Sequence, residues 1–242
     1  MSITRITIRR LSSAALAGGL LLLSGTASAA AAAGATSTSE TTKVQTIISK
    51  GDQEISRRLT KLGTLSAKIT AATKLSASDK STLSTEVSNE VSGLTALKAK
   101  LDAETTVAGA RADAQSIFTD YRVYALIVPK VQLVKVADDQ QVVEDKLTAL
   151  ATKLQSRITA AKASGKDVTA LQAQLDDMTA KTKAAQAISS SIEASVINLQ
   201  PSDYNSNHSV LSGNSAQLKT ARSDNQAART DAAQIISGLK SL

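Results

Sequence analysis

Ile48, Ile55, Leu62 and Ile69 stand seven residues apart, with Val44, Leu59 and Leu65 on the adjoining stripe. A seven-residue apolar beat cannot be satisfied by a strand, whose side chains alternate every two residues. It specifies a helix with one covered stripe. The same kind of beat returns along the rest of the chain. Leu83, Val87, Val91, Leu94, Leu97 and Leu101 predict a second helix, and Ser76 with Asp79 three residues on gives it an N-cap signature. A third helix is predicted from about Thr105 to Ala163, with Gly165 as its C-terminal stop. Asp167 caps a fourth, striped by Val168, Leu171, Leu175, Met178, Ile188, Ile192 and Val196. Ser202 caps a fifth, which carries Tyr204, Leu211, Leu218, Ala228 and Ile235 to the end.

Aromatic residues make up 2% of the chain and there are two prolines, so the core must be thin and the helices long. The expected fold is all-α: elongated antiparallel helical bundles of about five helices. The long third helix is kinked near Pro129, where a proline removes the bond to the carbonyl of Ala125, and is shared by two three-helix bundles over 42–137 and 138–242. Gly51, inside the first helix, is expected to mark a bend.

The first 29 residues read as an export signal. Arg5, Arg9 and Arg10 precede the apolar run Leu11–Gly25, and Ala27-Ser28-Ala29 fits a cleavage site near Ala29. At about 15 residues, broken by Ser and Gly, the run is short of the ~20 needed to span a bilayer. Residues 30–41 are small and polar and are expected to form a flexible linker. The expected address is periplasmic, cell-wall-associated or extracellular. Loss of the leader, with three arginines and no acids, takes the formal net charge from +7 to +4.

Most catalytic chemistry is missing. With no cysteine there is no thiol nucleophile or thiolate metal site, and the one histidine, His208, lacks a nucleophile-elbow setting. In the phase of the fifth helix His208 is expected on the apolar face. No Gly-rich phosphate loop occurs, and the paired acids Asp138-Asp139, Glu144-Asp145 and Asp176-Asp177 are expected on solvated helix faces. Neither an enzyme nor a cofactor, metal or small-molecule substrate is expected. Lysines mixed with acids also argue against nucleic acid.

The stretch 118–137 (FTDYRVYALIVPKVQLVKVA) holds three of the four aromatics and the densest apolar run after the leader. Phe118, Tyr121, Tyr124, Ile127, Pro129 and Val131 are the candidate hinge or interaction segment, with Tyr124 expected to be buried at the joint between bundles. The function expected is that of an exported, non-enzymatic spacer, scaffold or protein-interaction module, with a protein partner or self-association. One alternative is a membrane-active protein that exposes 118–137. Another is a weak binder of anionic wall polymer or of a membrane surface.

Overall fold

The computed structural model describes residues 26–242, and their side chains from Ser37 on. The leader up to residue 25 lies outside the described residues. The packing described below belongs to the compact unit Glu40–Leu242.

Among the described residues all regular structure is helical: α1 (Thr26–Ala71), α2 (Ala77–Asp102), α3 (Val107–Thr119), a π turn (Val123–Ile127), α4 (Val128–Ala163), α5 (Thr169–Val196), α6 (Pro201–Ser206) and α7 (Asn214–Ser241). α1 includes residues 30–41, expected as a linker. Their alanines are strong helix formers and the stretch holds no proline; the single Gly34 weakens the helix without ending it. The capping signals act as read. Ser76 Oγ accepts from the amide of Asp79 at 3.0 Å. Gly165 takes φ +78°, while Lys166 and Gly165 donate to the carbonyls of Ala161 and Lys162, closing α4 with paired C-terminal bonds.

The expected third helix is two helices. α3 ends at Thr119 and Arg122 sits in the left-handed region at φ 32°, so the chain breaks at 120–122, before Pro129. The π turn then runs directly into Pro129, in the first turn of α4. A wider turn there relieves the clash that a regular α-helix would set between the proline ring and the carbonyl four residues back. α4 alone is 36 residues, roughly 54 Å, rather than a helix of about 60. The fifth helix is likewise two, because Asn207 is extended (φ −143°) and Gly213 is left-handed. The cap of α6 is Gln200, whose amide donates to Asp203 Oδ2 at 2.7 Å, and not Ser202. His208 consequently leaves the apolar face; it is exposed, with its ring edge-on to Tyr204 at 5.1 Å.

Two apolar clusters form along α4. Ile55, Leu62 and Ile69 of α1, Leu83, Leu94 and Leu101 of α2, and Ile117 of α3 pack with Leu126, Ile127, Val131 and Val134. Leu147, Leu154 and Ile158 pack with Leu175 and Met178 of α5 and with Ala228 and Ile235 of α7. Between them lies a polar layer: Asp138, Gln140, Glu144, Ser189 and Asn225 are all buried. Gly51 lets α1 pass close to its neighbours, since a Cβ there would stand 2.3 Å from Leu101 Cδ2; it is a packing notch inside an unbroken helix.

Candidate binding groove along α4

The six residues singled out in 118–137 differ in their surroundings. Ile127 and Val131 are core residues. Phe118 and Tyr124 are 41% and 47% exposed, and the Arg58 guanidinium lies over both rings, 4.6 and 5.3 Å from their centroids. Tyr124 is therefore not buried at a joint, because the π turn rotates its ring outward to where its hydroxyl donates to the carbonyl of Arg57 at 3.3 Å. Tyr121 is half-buried on Gly93, where a Cβ would meet its ring at 2.6 Å. Pro129 lines a cleft with Leu211 and Leu218. Replacing Tyr124 by aspartate should lower stability by no more than about 1 kcal/mol, since the carboxylate stays hydrated beside Arg58. Thermal melts of the two proteins check this, and a loss of several kcal/mol would refute it.

Two of the acids expected on solvated faces are inside. Asp138 reaches across to α2, accepting from the amide of Ser76 at 2.7 Å. Its carboxylate, with those of Asp79 and Glu193, forms a group whose oxygens lie within 4.8 Å of one another. Oxygen donors at this spacing suit a hard cation. A proton serves the same end: burial first, and Asp79 and Glu193 after it, push Asp138 up to about 6. Glu144 accepts from Ser189 Oγ at 2.9 Å and Asn225 Nδ2 at 3.0 Å, and burial raises its pKa. Sequence spacing missed both acids because each adjoins a more accessible one, half-buried Asp139 and exposed Asp145.

A buried cation was missed too. Lys130 is fully enclosed; its Nζ donates to Glu86 Oε1 and to the carbonyl of Leu199 at 2.5 Å, tying α4 to α2 and to the connection after α5. Glu90 lies beside this pair and is pushed up to about 8, by burial first and by Glu86 second. The signal for it was legible: Glu90 falls at a three-four step between Val87 and Leu94, on the apolar stripe of α2.

The exposed face of α4 between Pro129 and Val143 forms the floor of a groove. Against α7 it opens two clefts, of about 600 and 360 Å³, that share Val136, Gln140 and Arg222. Against α1 it opens a third, of about 440 Å³, which meets the second at Gln132. The floor is largely apolar, with Pro129, Leu133, Val136 and Val143, and Val136 is 42% exposed. The walls are basic. Lys61, Lys68 and Lys74 stand on the α1 side and Lys219, Arg222 and Arg229 on the α7 side. Among the described residues none of these six makes an ion pair or side-chain hydrogen bond. The groove's remaining charges, Lys135 and Asp139, pair with each other at 2.6 Å.

Some cations elsewhere have acids within reach, as Lys98 has with Asp52 and Asp102, and Lys181 with Asp177 and Asp231. Others, such as Lys50, Lys153 and Arg157, pair with no acid among the described residues; what distinguishes the groove is that six such cations line adjoining clefts holding one carboxylate, Asp139. A field of one sign over a concave, partly apolar surface concentrates anions and speeds their encounter. No family model, curated protein or solved structure matches the chain.

Proposed function

We propose that the chain is an exported, non-enzymatic helical-bundle protein that works as an interaction module, holding an anionic partner in the groove along α4. The observation that carries this reading is the set of six unpaired cations facing one already paired carboxylate across a partly apolar floor. In this reading α4 is the element shared by two elongated three-helix bundles. α1, α2 and α3 build the first upon its N-terminal part, and α5 and α7 build the second upon the remainder. The second cluster, drawn from α4, α5 and α7 alone, and the polar layer beside it support that division, while Ile192 and Val196 of α5 and Leu218 of α7 join the first cluster and tie the two together. Membrane insertion by 118–137 is the less economical alternative. It would withdraw Ile127, Val131 and Val134 from the core, and no described helix is long and apolar enough to cross a bilayer.

The test is equilibrium binding of a fluorescent polyglutamate to the full chain. Wild type should bind, and affinity should fall steeply between roughly 50 and 500 mM salt as screening shortens the reach of the charges. Arg222→Glu with Arg229→Glu should weaken binding at least about tenfold at low salt. Both residues are exposed, so the variant should melt like the parent. Affinity insensitive to salt, or unchanged in the variant, would overturn the reading.

A further inference from the structure

The groove is built to a helical repeat. On α4 the positions facing it are Pro129, Gln132, Val136, Asp139 and Val143, in steps of three and four. On α7 they are Ser215, Leu218, Arg222, Asn225 and Arg229, in the same steps. On α1 and the turn after it, Lys61, Leu65, Lys68, Ala72 and Leu75 repeat the pattern. Three-four spacing is the seam a helix presents to another helix packed alongside it. Three helices thus offer such a seam around one channel, which has the form of a helical bundle lacking one member.

From this geometry we infer that the groove takes an acidic amphipathic helix of a partner protein. The inference rests on the function proposed above and names its partner class. Pro129 to Val143 spans 14 steps of about 1.5 Å, or roughly 21 Å, which matches two heptads of a guest helix. The guest's apolar stripe covers Val136, Leu133 and Val143. Lys61 and Lys68 on one wall, and Arg222 and Arg229 on the other, are each seven residues apart. They meet acids repeated every seven residues on the two flanks of that stripe, as flanking charges do in coiled coils. An extended polyanion would leave the apolar floor uncovered. A flat anionic bilayer could not follow a channel walled on both sides.

The experiment compares four probes on the full chain. They are a three-heptad peptide with leucine at its seam positions and glutamate on both flanks, a scramble of the same composition, polyglutamate, and vesicles containing phosphatidylglycerol. The ordered peptide should bind at least about tenfold more tightly than its scramble and gain helical circular dichroism on binding. Val136→Asp should weaken it about tenfold, and Arg222→Glu with Arg229→Glu should shift preference to a peptide bearing lysine on one flank. Equal affinity for ordered peptide, scramble and polyglutamate would overturn the helix inference and leave the anion-binding function standing. Failure of every anionic probe would overturn both. Binding to vesicles alone would overturn the helix inference in favour of a lipid surface.

Discussion

Lys130→Met is expected to lower the free energy of unfolding by about 3–5 kcal/mol at pH 8, the loss typical of stranding a buried charge without its partner. Methionine fills nearly the same volume, so the loss does not come from a cavity. It comes from Glu86 and Glu90, which keep their burial but lose the one cation among the described residues that reaches them, and from the Leu199 carbonyl, which loses a donor. The second oxygens of both glutamates already lack a hydrogen-bond partner among the described residues, so the node has no reserve. The effect should shrink at pH 5, where both carboxyls can take up protons instead. Adding Glu86→Gln to Lys130→Met should recover part of the loss. Urea denaturation at the two pH values tests this, and equal midpoints for parent and variant at pH 8 would refute it.

The second large effect is a stability that falls as pH rises. Asp138 has its ordinary value near 3.8 in the unfolded chain and about 6 when folded; Glu90 goes from 4.5 to about 8. In both cases the folded protein holds the proton more tightly. The stabilisation this gives is complete below the unfolded value and is lost as pH climbs through the folded one. The window is therefore about pH 4 to 8, with the Asp138 contribution gone before that of Glu90. Above it, Asp138 stands ionised against Asp79 and Glu193, and Glu90 against Glu86. Asp138→Asn keeps an acceptor for the Ser76 amide and removes the charge, so it should raise Tm at pH 8 by about 2–8 °C and change it little at pH 4. A melting temperature that rises from pH 5 to 8 would contradict this account.

These two sites show where the sequence was legible and where it was not. The stripe of α1, the Ser76 cap and the Gly165 stop could be read directly, because each depends on residues within a turn or two of one another. The break at 120–122 could not. Its left-handed Arg122 is held by contacts distant in sequence: the guanidinium donates to Asn205 Oδ1 at 2.6 Å and lies over Tyr204, while Asn205 donates to the carbonyl of Thr119 at 2.8 Å. With α6 docked against that corner, the chain turns where no local signal demands it. Pro129, the obvious local signal, is absorbed by the start of a helix.

Amino-acid order alone therefore determined the helical class, the period and most helix ends, since those follow from side-chain spacing and backbone propensity. It also set the absence of thiol and Gly-rich-loop chemistry, because composition suffices for that. Only the tertiary structure decided which charges are buried and which are exposed. A helix presents every side of itself, and its neighbours choose the covered one: they enclosed Lys130, Asp138 and Glu144 and left Lys61, Lys68, Arg222 and Arg229 facing the same open channel. The groove arises for the same reason, from three helices, remote in sequence, whose seams converge where, among the described residues, no fourth helix fills the space.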